Sequence, residues 1–198
     1  MDKIKKLIIG TNNAGKYKEI FELLPKDVEK ISPEQLNIEG PEETGKTFEE
    51  NSLIKAAYFS NKTNLICLSD DSGLEIDLLD GKPGIHSARW GGKEKDFDSA
   101  IKKVFSRMKN KKSNWQNDNN AHFVCCMTLY WPGGKSFSSK GIIKGKILTE
   151  KKGDKGFGYD PIFVPNGYNQ TFAQMTPELK MSIDHRFQAF VKLKKFFT

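Results

Sequence analysis

Short apolar runs broken by polar, glycine-containing segments set the rhythm of this chain. Ile4 to Ile9 is such a run, and it predicts a short buried strand closed by GTNNAGK. KYKEIFELL behind it predicts a helix stopped at Pro25, since the residue before a proline resists the helical conformation. Residues 26–46 read as irregular or as a short strand, ending on GPEETG. Thr47 and Glu50 match a capping box that opens a second helix, FEENSLIKAAYFS. Leu65 to Leu68 predicts a strand that ends at Asp70 and Asp71 before a Ser72–Gly73 turn. LEIDLLDG, from Leu74, predicts a strand running into a turn. Phe97, Ile101, Val104, Phe105 and Met108 fall on one side of a third helix, FDSAIKKVFSRM. The stretch 109–120 is polar and loop-like. AHFVCCMTLYW and SFSSKGIIKGKIL carry strand signals around a Pro-Gly-Gly turn. KKGDKGFGYDPIF is a glycine-rich loop entering a short apolar run. A helical turn at Thr176–Pro177 precedes a final helix through Phe196.

This order, with no internal repeat, predicts an α/β fold: a mixed sheet with helices on its faces, formed as one domain over residues 1–198 with a cleft between two lobes. The 198 residues suffice for one well-buried core, and 37% hydrophobic content with 14 Phe and 3 Trp excludes a disordered chain. Lys and Arg number 32 against 25 Asp and Glu, a net charge of +7. That excess fits an anionic partner (nucleic acid, a membrane surface or a phosphorylated small molecule) or merely a solvated lysine surface. The lysine runs KKLII, KNKK and KLKK are scattered, which argues against a single nucleic-acid stripe. Cys67, Cys125 and Cys126 form no CxxC pair and read as buried thiols of a reducing compartment. No signal peptide fits and no apolar run approaches a membrane span, so a cytoplasmic protein without a membrane partner is expected.

Four segments carry chemistry. GTNNAGKY is one position short of the phosphate loop, and Tyr17 stands where a small hydroxyl would ligate Mg²⁺. Backbone N–H groups, a helix N-terminus and Lys16 can still receive a phosphate; the competing reading is an Asn-Gly turn beside a surface lysine. On a helix, Asn51 and Lys55 share a face and can offer an amide and a cation to a phosphate chain. In SDDSG, strand alternation sends Asp70 and Asp71 to opposite faces, so one serves a cleft while the other packs or caps. One carboxylate from that pair and one from Glu42–Glu43 would suit Mg²⁺, which takes one or two carboxylates together with substrate phosphates; turn chemistry explains DDSG equally well. Phe157, between glycines, exposes a ring that can stack on a base, with Asp160 three residues on. Lys180, His185 and Arg186 gather donors around a helix start. His122, alone on a strand, reads as structural. These residues alone reach as far as a nucleotide- or phosphate-binding α/β protein.

Together, TNNAGK, EETGKTFEENSLIKA, SDDSGLEIDLLDGKPGIHSARW, GFGYDPIF and LKMSIDHR span nearly the whole chain in order. They resemble the inosine triphosphate pyrophosphatase family (Ham1-like, XTP/dITP diphosphatases). The resemblance implies an elongated, two-lobed α/β structure around a long, twisted, mixed sheet, with the active site in the cleft. It also implies a homodimer that hydrolyses ITP, dITP and XTP to the monophosphate and pyrophosphate with Mg²⁺, without a nucleic-acid partner. Carried over, Thr11, Asn12, Asn13, Ala14, Gly15 and Lys16 line the triphosphate, joined by Asn51 and Lys55. Asp71 is the metal-binding and proton-accepting carboxylate, Ser72 its substrate-contacting neighbour, and Glu42 or Glu43 the second metal ligand. Arg89 is a further substrate contact. Phe157, Gly158, Tyr159 and Asp160 form the nucleoside-binding loop; Lys180, His185 and Arg186 read the base. Asp184 departs from the family's usual Ser before His-Arg. Aspartate is as good a helix N-cap, but it adds a negative charge beside the base pocket. Gln174 replaces a frequent Glu. A Maf-like pyrophosphatase of pyrimidine nucleotides shares the architecture, but the FGYD and HR pieces argue against it.

Overall fold

The computed structural model describes residues 3–92, 94 and 96–198. Its strands are β1 (Lys6–Ile9), β2 (Glu29–Ile31), β3 (Cys67–Ile76), β4 (Asn120–Tyr130), β5 (Ser136–Ile147) and β6 (Phe163–Pro165). Its helices are α1 (Ala14–Leu23), α2 (Phe48–Thr63), α3 (Phe97–Lys111), α4 (Pro177–Ile183) and α5 (His185–Leu193). The strands form one sheet in the order β2-β1-β3-β4-β5-β6. β1 runs parallel to β2 and β3, whereas β5 and β6 are antiparallel, so the sheet is mixed, as the element order predicts. Among the described residues no helix is long and apolar enough to cross a membrane. All three cysteines are buried, free thiols.

The chain divides into two compact units. The first comprises the chain up to Asp71, Cys125–Gly141 and His185–Thr198. Here β1 shows why a continuous apolar run makes a central strand: its successive side chains enter different cores. Leu7 and Ile9 join Leu68, Cys125 and Met127 with Ile20 of α1 and Ala189, Phe190 and Leu193 of α5. Ile8 joins Cys67, Ala56 and Phe59 on the face that α2 covers. Asn13 caps α1 by accepting the Lys16 N–H at 2.9 Å. Thr47 caps α2 through the Glu50 N–H at 3.1 Å. The reciprocal arm of that capping box lands one residue early, because Glu50 accepts from the Lys46 N–H at 2.6 Å.

The second unit comprises Ser72–Val124 and Ile142–Asp184. Its core gathers Leu74 and Ile76 of β3, Ile101, Val104 and Met108 of α3, and the aromatic cluster Phe123, Phe163 and Phe172. Asp96 caps α3, accepting from Asp98 and Ser99.

One expectation needs correction. β3 does not end at the aspartates: it runs unbroken for ten residues through Asp70, Asp71, Ser72 and Gly73. β3 lies between β1, which meets it at Cys67 and Leu68, and β4 in the sheet, and its extended ladder overrides the local Ser-Gly turn preference. The helical turn expected at Thr176–Pro177 is the short helix α4, which ends where Asp184 leaves helical geometry at φ −70° and ψ 171°. α5 still starts at His185, so Asp in place of Ser preserves the helix start.

Candidate active site

Most of the sequence-predicted phosphate and metal residues meet within the first unit. Gly10 follows β1, and a Cβ there would lie 2.6 Å from the Cys67 Sγ, so the loop leaves the sheet where only glycine fits. Thr11 is buried and its hydroxyl accepts the Asn13 N–H at 3.2 Å. Asn12 is exposed and donates to the Ile38 carbonyl at 3.1 Å. Ala14 and Gly15 form the first turn of α1, with their N–H groups at the positive end of the helix dipole. Lys16 extends from that turn to place Nζ 3.5 Å from Asp70 Oδ2 and 3.8 Å from Asp71 Oδ1.

Asn51 and Lys55, one turn apart on α2, are both buried against Asp71. Asn51 Nδ2 donates to Asp71 Oδ2 at 3.1 Å, and its Oδ1 accepts the Gly45 N–H at 2.8 Å. Lys55 Nζ donates to Glu43 Oε1 at 2.5 Å and lies 3.6 Å from Asp71 Oδ1. Glu43 therefore joins this cluster, while Glu42 is exposed. Burial pushes the Asp71 carboxyl above its ordinary value, although Lys16 and Lys55 pull the other way. Burial would lower Lys55, but Asp71, Asp70 and Glu43 outweigh it and hold the ammonium above the usual lysine value. Glu43 is held below the carboxylate norm, burial being outweighed by Lys55.

Among the described residues no group of three or more His, Cys, Asp or Glu side chains could hold a metal ion by itself. Glu43 and Asp71 nevertheless converge on one cation, the Lys55 ammonium. Two carboxylates beside lysines fit a hard divalent ion that completes its coordination with water and substrate phosphate.

Asp70 takes a different set of partners from Asp71, apart from Lys16. Arg186 approaches its Oδ2 with Nε at 3.4 Å and Nη2 at 3.3 Å, and the remaining arm of the guanidinium pairs with Glu19 of α1. Cys125 Sγ lies 3.9 Å from the same oxygen. Arg186 is 1% exposed and Asp70 0%. The structure thus engages Arg186 within the first unit, whereas sequence grouped it with Lys180 and His185 at the base. Sequence reasoning missed Glu19; its one signal is a carboxylate three residues beyond Lys16 on α1. His185, beside Arg186, is buried.

In the second unit, the 156–160 loop is organised by Asp160, which accepts the Phe157 N–H at 2.9 Å and the Lys180 Nζ at 2.5 Å. Gly156 and Gly158 have φ of +72° and +69°, so glycine is required for the loop path. The Lys180 Nζ sits 5.0 Å from the Phe157 ring centre. Phe157 is half-buried. Tyr159 is 2% exposed, donates its hydroxyl to the Ser87 carbonyl at 2.8 Å, and packs edge-on against Phe97. Its burial pushes the phenol up. Tyr159 thus anchors the loop in the core and leaves Phe157 as its outward ring. Ser72 is half-buried, and Arg89 is exposed with Nη1 3.2 Å from His86 Nδ1. His122 meets Glu75 at 2.7 Å, in keeping with a structural role.

The pattern of the Ham1 family matches residues 7–196. A dITP/XTP pyrophosphatase of Zymomonas mobilis is 42% identical over 189 residues, covering 95% of this chain and 90% of the relative. One from Oceanobacillus iheyensis is 42% identical over 196 residues, covering 98% of both. Among solved structures, a HAM1 protein from Coxiella burnetii superposes with a TM-score of 0.86 at 33% identity, covering 97% of this chain and 98% of that one. The Staphylococcus aureus Ham1 protein superposes with a TM-score of 0.83 at 37% identity, covering 97% of each chain.

Proposed function

The chain belongs to the Ham1 family, and we infer that its reaction is the hydrolysis of non-standard purine nucleoside triphosphates (ITP, dITP and XTP) to the monophosphate and pyrophosphate. It is a nucleoside triphosphate pyrophosphohydrolase, whose reaction removes deaminated purines from the nucleotide pool. The observation that carries the site assignment is the convergence of Lys16, Asn51 and Lys55 on the buried Asp71, with Glu43 bound to Lys55. We assign the triphosphate to the N-terminal turn of α1 and to Lys16 and Lys55, whose charges offset those of the phosphates. Water attacks phosphorus in line, and the bond to the leaving pyrophosphate breaks. Little covalent chemistry is asked of the protein, so positioning and charge neutralisation dominate. Asp71 accepts the proton of that water, and its raised basicity relative to a surface aspartate suits the task.

Mg²⁺ is assigned to Glu43 and Asp71, where it would neutralise phosphate charge and orient the substrate. The Phe157 ring is assigned to the purine face, with Lys180 and His185 as donors toward a 6-oxo group. Arg186 supports this machinery through Asp70. The homodimeric, cytoplasmic state implied by the resemblance completes the proposal.

Pyrophosphate and orthophosphate release from ITP, XTP, GTP, ATP and UTP, with Mg²⁺ and with EDTA, tests this reading. Mg²⁺-dependent pyrophosphate from ITP and XTP, with little from GTP or ATP, is expected. Orthophosphate, preference for UTP, or undiminished turnover in EDTA each contradicts a named part of it.

A further inference from the structure

Asn51 is one step removed from the assigned chemistry, yet its contacts join two parts of it. The amide is 0% exposed, and its orientation is fixed by chemistry. The Gly45 N–H can only donate, so the atom it meets at 2.8 Å is the Asn51 oxygen; the nitrogen therefore faces Asp71 Oδ2 at 3.1 Å and donates to it. Gly45 belongs to the loop that carries Glu43, two residues away. That loop lies so close to α2 that a Cβ on Gly45 would be 2.6 Å from the Asn51 oxygen and 2.7 Å from the Glu50 Cβ. The same amide also divides the two oxygens of Asp71. Oδ2 takes the Asn51 donor, while Oδ1 lies toward Lys55 at 3.6 Å and Lys16 at 3.8 Å.

We propose that Asn51 is a positioning residue that clamps the Glu43 loop to Asp71, presenting Asp71 Oδ1 as the functional oxygen. This rests on the assignment of Asp71 and Glu43 to the reacting centre, and it takes Asn51 out of the substrate contacts suggested by its helical spacing from Lys55. One side chain sets the distance between carboxylates that sequence places far apart. A substrate-binding asparagine would act on KM. A clamp acts on kcat, because substrate still binds to the lysines while the carboxylates lose alignment.

The test uses Asn51→Ala, Gly45→Ala and the double variant, in two assays. Amide hydrogen exchange at residue 45, read by NMR on the protein without substrate or metal, is expected to quicken about tenfold in Asn51→Ala, as for loss of one partly buried hydrogen bond. In steady-state hydrolysis of ITP, kcat is expected to fall roughly 100-fold with KM changed less than threefold, the size of effect that a displaced catalytic group produces. Gly45→Ala pushes on the amide from the loop side without altering α2's side chains and is expected to reproduce the fall in kcat. The double variant should be no worse than the poorer single one. Unchanged exchange at residue 45, a rise in KM at constant kcat, or additive losses would each overturn the clamp. If the wild type releases no pyrophosphate from ITP, the reaction assignment fails, while the exchange arm still reports on the coupling.

Discussion

Arg186 offers the sharpest choice between a base-reading and a supporting role. Replacement by Met keeps the length and removes the charge. Asp70, with no exposure, then retains Lys16 at 3.5 Å but loses the guanidinium contacts at 3.3 and 3.4 Å. Removing one partner of a buried ion pair costs about 3–5 kcal/mol, chiefly because the remaining charge is stranded away from water. Glu19 is slightly exposed and can hydrate, so the cost comes chiefly from Asp70 and should lie near the low end, about 3 kcal/mol. In a chain of this size that corresponds to a Tm lowered by about 6–12 °C.

Urea unfolding of Arg186→Met, Asp70→Asn and the double variant measures the effect. The double variant should recover about 2 kcal/mol relative to the sum of the singles, since it buries no orphaned charge. An Arg186→Met protein within about 1 kcal/mol of wild type, with its preference for ITP over GTP lost, would refute the reasoning and return Arg186 to the base.

Two further outcomes follow from local geometry. Gly141 on β5 approaches α5 so closely that a Cβ would be 2.0 Å from the His185 carbonyl oxygen and 2.5 Å from the Ala189 nitrogen. Gly141→Ala must therefore displace the helix that carries Arg186, at a cost of about 1–3 kcal/mol; a melting curve superposing on wild type would contradict this. The Asp96 carboxyl is held below its ordinary value of 3.8 by the Ser99 hydroxyl and by the N–H groups of Asp98 and Ser99. Its folded value lies below the unfolded one, so the cap's contribution is complete above 3.8 and disappears as pH falls through the folded value. A carboxyl ¹³C titration should show a midpoint below 3.8; a midpoint at or above it denies the cap.

Local rules made much of the scaffold legible. The period of α3, the Thr47 cap and the apolar run of β1 each declare themselves within a few residues, because the determining contacts are local. What the sequence leaves illegible has the opposite cause. The Ser72–Gly73 turn yielded to ladders with strands distant in sequence. Tyr159 sits in a polar, glycine-rich stretch, yet its ring is claimed by Phe97 and its hydroxyl by Ser87. Glu42 and Glu43 are indistinguishable as letters; Lys55, twelve residues on, selects Glu43. The Arg186 ion pairs join residues 116 and 167 positions apart, and no short motif announces them.

That long-range network also bears on why two adjacent aspartates sit within an apolar strand. Alternation gives them separate partners, Arg186 for Asp70 and Lys55 with Asn51 for Asp71, while Lys16 reaches both. The carboxylates Glu19, Glu43, Asp70 and Asp71 thus lie among the cations Lys16, Lys55 and Arg186 before any substrate arrives. A triphosphate entering such a site adds more negative charge, which Lys16 and Lys55 alone do not balance. A divalent cation shared by carboxylates and phosphate, as proposed, would relieve that conflict, so carboxylates that repel a free triphosphate would favour its metal complex. Asp70, paired with Arg186, adds to the local field and lies outside the proposed ligand pair of Glu43 and Asp71. Neutralising it in Asp70→Asn should therefore weaken metal dependence without abolishing it. Substituting Asp71 removes both the proposed ligand and the proposed base.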